Sequence, residues 1–154
     1  MLIEQSITEL FFGDAILADR LFRDLADETR QSLAAVTRTR RCGPEEIVFA
    51  KGELPSSIYL LIEGEAQTIT EFADPGKNLV RPVERSEILG LTEAITNLPY
   101  ETTLKTVTPC TFESIAGEDF AAFLQSEPEV CFRLLRLLGT NIHKIFRLFA
   151  RTRS

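Results

Sequence analysis

A change of sequence texture at Gly43-Pro44 constrains the fold of this 154-residue chain more than any other feature. From there to about residue 116, short runs of β-branched and aromatic residues are separated by turn residues, at intervals of about 8–12 positions. The first run is Ile47-Val48-Phe49 and the last extends from Thr111 to Ile115. Such a series indicates an antiparallel β-sandwich or barrel.

Helical patterns flank this β region on both sides. The first forty residues predict helices that pack on the β body, one of them opening near Asp27, a residue type that suits a helix N-cap. After Gly117 we expect a short helix and then a long one that opens at Pro128 and extends to about Arg151. The chain is therefore predicted to be one mainly β, α+β domain, with N-terminal helices in 1–40, a β-roll in 41–117 and two helices in 118–154.

The long C-terminal helix carries apolar residues at alternating spacings of four and three, which is typical of an a/d heptad seam. A second apolar stripe contains Leu134, Leu137 and Leu148. We expect one stripe to pack on the β body and the seam to meet a second copy in a homodimer. The alternative is a single wide stripe buried within one monomer. The seam consists of Cys131, Leu135, Leu138, Ile142, Ile145 and Phe149.

Histidine and cysteine usage restricts the chemistry. His143 is the single histidine, so a multi-histidine metal site cannot form, and a cupin-like enzyme would need such a cluster. The three cysteines are far apart in sequence, which argues against a disulfide framework or an iron–sulfur cluster with its roughly four thiolates. We therefore predict no catalytic residues, no metal site and no enzyme.

The net charge of −6 is unevenly distributed. Residues 133–154 hold six basic side chains and no acidic one, so the rest of the chain is strongly acidic and a poor candidate for nucleic-acid binding. No stretch approaches the ~18 apolar residues that a membrane span needs, and the N-terminus does not resemble a signal peptide. We expect a cytoplasmic protein without direct nucleic-acid or membrane contact.

Three segments carry a resemblance to a known family. They are Leu21-Phe22 with Asp27-Glu28, then residues 47–53, IVFAKGE, and residues 58–65, IYLLIEGE. The last two are similar to the patterns apolar-Phe-x-x-Gly-Asp and apolar-Tyr-apolar-apolar-x-x-Gly of the cyclic-nucleotide-binding domain family, which includes the sensory domains of Crp/Fnr-type transcription regulators. The resemblance covers about residues 18–150. It implies an antiparallel β-roll, also called a double-stranded β-helix or jelly roll, with a dimerising C-terminal helix.

The resemblance also implies a phosphate-binding segment at residues 88–104. The family holds a cyclic nucleotide with backbone amides at a helix N-terminus, with an arginine on the phosphate and with a glutamate on the ribose. Here Leu91 stands where the glutamate is expected, and Tyr100 follows Pro99 where the arginine is expected. The candidate pocket residues are Gly90, Leu91, Thr92, Glu93, Pro99, Tyr100, Glu101, Thr102 and Thr103.

The two exchanges change the chemistry expected of this segment. Leu91 offers no acceptor for a hydroxyl, and a carboxylate such as Glu101 repels a phosphate. We therefore expect no cofactor, and neither cyclic AMP nor cyclic GMP bound in the usual way, with an unknown effector. Three alternatives stay open: Arg81 or Arg85 restores nucleotide binding, a neutral or cationic ligand occupies the pocket, or the pocket is vestigial in a stand-alone dimerisation module.

Regulators of this type continue past the long helix into a helix-turn-helix domain. The sequence stops at Ser154, and no part of it supplies a recognition helix. We expect either the sensory fragment of a longer regulator or a stand-alone sensory module.

Overall fold

The computed structural model describes residues 16–72 and 76–139. Several predicted features lie outside these residues. They are the first fifteen residues of the predicted N-terminal helical region, Leu148 of the second stripe, and the seam residues Ile142, Ile145 and Phe149 together with His143.

Eight strands and five helices make up the described part of the chain. The strands are β1 (Thr37–Cys42), β2 (Ile47–Phe49), β3 (Ser57–Glu63), β4 (Ala66–Glu71), β5 (Asn78–Pro82), β6 (Ile88–Leu89), β7 (Thr102–Thr106) and β8 (Cys110–Ala116). The helices are α1 (Ala18–Leu21), α2 (Asp27–Ala35), α3 (Leu91–Thr96), α4 (Gly117–Ser126) and α5, which is helical over 128–139.

The strands form two four-stranded antiparallel sheets, in the orders β1-β8-β3-β6 and β2-β7-β4-β5. The chain repeatedly crosses from one sheet to the other, as in a jelly roll. The predicted mainly β fold with flanking helices is confirmed. No helix within the two described ranges is long and apolar enough to cross a membrane.

Strand β3 reads as a nearly continuous apolar run because both of its faces are covered. Tyr59 and Leu61 point into the core between the two sheets. Ile58 and Leu60 point the other way, into a second core that the sheet shares with the helices. Side chains alternate between the faces of a strand, so a strand between two cores carries no polar face.

The β-roll begins at Thr37 rather than at residue 41. Strand β1 has the sequence TRTRRC, and most of its side chains are exposed or half-buried. It pairs along its whole length with β8, from Thr37 opposite Ile115 to Cys42 opposite Cys110. The pairing with β8 stabilises this strand, although its arginine-rich sequence does not predict one. The preference of a residue for strands depends strongly on its neighbours in the sheet.

Helix α5 begins at Pro128, as predicted, and packs one face against the helix-side core. Val130 and Leu134 are almost fully buried there. The Arg133 guanidinium donates to the carbonyl oxygens of Leu21 and Arg23, at 3.0 and 2.6 Å. These contacts tie the terminal helix to the N-terminal helices.

The opposite face of α5 exposes large apolar side chains. Phe132 is 62% exposed and Leu135 is 59% exposed. The other described seam residues differ: Cys131 is half-buried, and Leu138 is partly buried against the helix-side core. The exposed apolar face therefore centres on Phe132 and Leu135.

Candidate ligand site

The phosphate-like segment opens at Gly90, which precedes helix α3. Its φ of +78° lies in the left-handed region that favours glycine. A Cβ at this position would lie 3.2 Å from the Ser57 carbonyl oxygen and 3.2 Å from Cε1 of Tyr100. Glycine therefore allows β3 and Tyr100 to approach the start of α3.

Leu91, where the resemblance predicts a glutamate, does not point into the core between the sheets. It is the first residue of α3 and is buried in the helix-side core. Thr92 beside it is exposed, and its carbonyl oxygen accepts the Thr96 hydroxyl at 2.8 Å. Neither side chain is placed to accept a ribose hydroxyl inside the roll.

Tyr100, where the resemblance predicts an arginine, is 2% exposed and belongs to the core between the sheets. Its ring stacks on Phe49 with 4.0 Å between the centroids and 14° between the planes. Its hydroxyl donates to the Ser57 carbonyl oxygen at 3.1 Å and accepts the Ser56 amide at 3.2 Å. The side chain thus fills the interior rather than reaching toward an anion.

The backbone of Tyr100 is fixed as well. Its amide donates to the Glu53 carbonyl oxygen at 2.9 Å, and its carbonyl oxygen accepts the Gly52 amide at 2.8 Å. These bonds join the end of the segment to the turn after β2. Because these bonds fix the backbone, the Cβ of a different side chain at position 100 would also point into the core between the sheets.

Glu93 and Glu101 lie close enough for the charges of their carboxylates to interact. Burial raises the pKa of Glu93, and the negative charge of Glu101 raises it further. The backbone amides of Glu93 itself and of Glu101 interact with the Glu93 carboxylate and partly offset this shift. The Glu93 carboxylate therefore lies near backbone amides of the chain itself.

Arg81 and Arg85, the candidate substitutes for the missing arginine, have other partners, and so does Lys105 in β7. Arg81 forms a buried bidentate ion pair with Glu87, and one of its two hydrogen bonds measures 2.8 Å. Arg85 donates to the Ile62 carbonyl oxygen at 2.9 Å. Lys105 pairs with Glu45 at 3.0 Å. The charges of Arg81 and Lys105 are therefore compensated by carboxylates outside the segment.

The remaining candidates lie on different sides of the chain. Thr102 is opposite Thr70 in the sheet, and the alternation that buries Leu104 places Thr102 on the inner face. Thr103 is on the outer face, where its hydroxyl accepts the Lys51 amide at 3.1 Å. Pro99 is exposed. The structure thus places Gly90 against Tyr100 and Glu93 near Glu101, whereas Thr92 and Pro99 are exposed and Thr103 is on the outer face.

Two features of this site were not evident from the sequence. Ser56 and Ser57 supply the polar partners of Tyr100 through their backbones, which no side-chain pattern signals. Glu87 neutralises Arg81, and its place directly before the Ile88-Leu89 strand was the available signal. Within the described residues, no group of three or more histidine, cysteine or acidic side chains is placed to hold a metal ion.

Comparison with known proteins agrees with this architecture. The profile of the cyclic nucleotide-binding domain matches residues 39–127, more than half of the chain. The chain belongs to the cyclic nucleotide-binding domain family. The match covers β2 to β8 and the whole of α4, and so includes every part of the candidate site.

Solved structures with this fold include bacterial regulators. The catabolite activator protein of Thermus thermophilus superposes with a TM-score of 0.77 at 18% identity, over 86% of this chain and 62% of that chain. The sensor domain of the transcriptional regulator DNR from Pseudomonas aeruginosa superposes with a TM-score of 0.69 at 22% identity, over 80% of this chain and 88% of that domain. At these identities the likeness concerns the fold.

A curated relative is a much larger protein. The potassium channel AKT2 of Oryza sativa subsp. japonica is 22% identical over 125 residues, which make up 81% of this chain. This chain spans only 15% of the length of that channel. The matched region is therefore a small part of a much larger protein.

Proposed function

We propose that this chain is the sensory and dimerisation domain of a cytoplasmic Crp/Fnr-type transcription regulator, and that it does not bind cyclic AMP or cyclic GMP in the manner usual for its family. The fold supports the first part, since the sensor domain of a transcriptional regulator has the same architecture. The single observation that carries the second part is the buried, stacked Tyr100 in the place of the phosphate-binding arginine.

Electrostatics at the segment favour the same conclusion. A charge-assisted hydrogen bond to a phosphate contributes about 1.5–3 kcal/mol, and a tyrosine turned into the core provides none. Glu93 and Glu101 add negative charge to the segment, and this charge would repel a phosphate. Losing the bond alone weakens binding by about ten- to a hundredfold, and the repulsion adds to this loss.

A calorimetric titration at low salt tests the nucleotide part. We expect no heat when cyclic AMP or cyclic GMP is added to the wild-type chain at about millimolar concentration, a weak affinity equivalent to about 4 kcal/mol. Micromolar binding by the wild type would overturn the proposal, because it would require another group to replace the arginine.

A gain-of-function variant makes this test sharper. The double variant Glu93→Gln and Glu101→Arg removes both carboxylates and places a guanidinium at an exposed position within the segment. We expect it to bind cyclic nucleotides at least about tenfold more tightly than the wild type. Glu63→Arg makes a similar change of charge on the exposed end of β3 and serves as the matched control, for which we expect no gain.

A dimerisation module with a vestigial pocket is the second candidate function. It is favoured by the Glu93 carboxylate, which already interacts with backbone amides near the start of α3. This module would dimerise in the same way but would give no binding signal with any metabolite. A neutral or cationic metabolite that raises the melting temperature would favour the sensory role instead.

The dimer is the part of the proposal that both functions share. Phe132 and Leu135 expose a continuous apolar face on α5, and the heptad pattern continues beyond the described residues. We expect Leu135→Lys to produce monomers in sedimentation equilibrium, whereas Glu129→Lys on the same helix leaves the dimer intact. A Leu135→Lys variant that stays dimeric would exclude this face. Leu138 is less suitable as a test, since it also packs on the monomer core.

A further inference from the structure

Two of the three cysteines meet across neighbouring strands. Cys42, the last residue of β1, is the register partner of Cys110, the first residue of β8. Directly opposed residues of antiparallel strands point to the same face, and both cysteines lie in the core between the sheets. Opposed Cα atoms are about 4.5–5.5 Å apart, within the window of about 4.4–6.8 Å that a disulfide spans.

Both cysteines are free thiols. Cys110 Sγ lies 3.1 Å from the Glu65 carbonyl oxygen and 3.2 Å from the Thr108 carbonyl oxygen. The Cys42 thiol interacts with the Glu46 carboxylate, and burial raises its pKa to about 11. Burial likewise raises the pKa of Cys110. Thiols of this kind are protonated at neutral pH and react slowly with weak oxidants.

We propose that Cys42 and Cys110 are an oxidation site at which hydrogen peroxide forms an intramolecular disulfide that joins β1 to β8. The oxidant is a peroxide because it is small, and both cysteines are at least nine-tenths buried. The reaction converts two thiols and one peroxide molecule into one disulfide and two water molecules. The two sulfurs together lose two electrons, which the peroxide accepts.

Cys42 reacts first in this scheme. The thiol sulfur attacks one peroxide oxygen, the O–O bond breaks, and the leaving hydroxide takes the thiol proton and departs as water, so that a sulfenic acid remains on Cys42. Cys110 is less accessible, since its sulfur rests against Gly64, where an added Cβ would come within 2.8 Å. Cys110 then attacks the sulfur of Cys42. The sulfenic hydroxyl leaves with the thiol proton as the second water.

The disulfide would enclose most of the β-roll. Strands β2 to β7 and the whole segment from Gly90 to Thr103 lie between Cys42 and Cys110 in the sequence. A cross-link that closes so long a loop restricts the unfolded chain and raises the melting temperature. We expect a rise of about 10 °C on oxidation, reversed by dithiothreitol.

The experiment treats the full chain carrying Cys131→Ser with hydrogen peroxide, so that only the opposed pair remains. Non-reducing peptide mapping should then join the peptide with Cys42 to the peptide with Cys110, with the loss of two hydrogens. Cys42→Ser in the same background should show neither the link nor the rise in melting temperature. Full alkylation of both thiols after peroxide treatment and unfolding would overturn the proposal.

A second measurement keeps the proposal testable if the serine variant does not fold. Peptide mapping of the oxidised wild-type chain needs no substitution at either opposed cysteine. It should give the same Cys42–Cys110 link, within one chain. A link that instead joins Cys131 to another cysteine, with no Cys42–Cys110 product, would refute it.

Discussion

Removal of the Tyr100 hydroxyl isolates the contacts that hold this side chain inside the roll. In Tyr100→Phe the ring can keep its stack on Phe49, so the change removes only the bonds to the Ser57 carbonyl and the Ser56 amide. Each neutral hydrogen bond contributes about 0.5–1.5 kcal/mol. Ser56 is exposed, so its amide recovers water. We therefore expect the free energy of unfolding to fall by about 1–2 kcal/mol, which corresponds to a melting temperature about 2–8 °C lower.

Tyr59→Phe is the matched control, since it also removes a hydroxyl from a buried tyrosine. That hydroxyl accepts a hydrogen bond from Nη1 of Arg40 at 3.1 Å, and the arginine side chain is 38% exposed. Water replaces the lost partner, so we expect a loss below about 1 kcal/mol. Urea or thermal unfolding measures both variants. Equal stability of Tyr100→Phe and the wild type would refute the reasoning, because the hydroxyl would then contribute nothing to the inward position of Tyr100.

Two further predictions concern buried charge. Glu87→Gln leaves the Arg81 guanidinium buried without its carboxylate, so we expect unfolding to be easier by about 3–5 kcal/mol in urea, while Arg81→Met combined with Glu87→Met recovers most of the loss; a fully stable single variant would contradict this. The raised pKa of Glu93 means that the folded state disfavours its charged form, so its contribution to stability falls as the pH rises through and above the usual carboxyl range. Glu93→Gln should therefore raise the melting temperature at pH 7 and leave it unchanged near pH 4, whereas a gain that is the same at both pH values would show that charge is not the cause.

The positions of β2 and β8 followed from the sequence, because their β-branched and aromatic runs are bounded by turn residues. Strand β1 did not, since its alternating arginines carry no apolar face and its pairing comes from β8. Pro128 correctly marked the start of α5 because its ring suits the first turn of a helix. Residue patterns within one segment were thus enough to predict these strands and the start of α5.

Contacts between distant segments account for what the sequence did not predict. The direction of Tyr100 depends on the ring of Phe49 and on the backbone of β3, neither of which is adjacent in sequence. Cys42 and Cys110 are register partners only because β1 and β8 pair antiparallel. The sequence spacing of the cysteines argued against a disulfide, whereas the sheet topology brings two of them together.

The contacts of Tyr100 hold the segment from Gly90 to Thr103 against the rest of the protein. In a ligand-binding site, part of the order of such a segment comes from the bound anion, which joins the start of the helix to the strand that follows. Here the tyrosine joins the same parts from inside. Its ring meets Gly90 at the start of α3, its hydroxyl binds β3, and its backbone binds the turn after β2. The Glu93 carboxylate interacts with the backbone amides of Glu93 itself and of Glu101. All of these contacts come from the chain itself, so they hold the segment without a bound nucleotide.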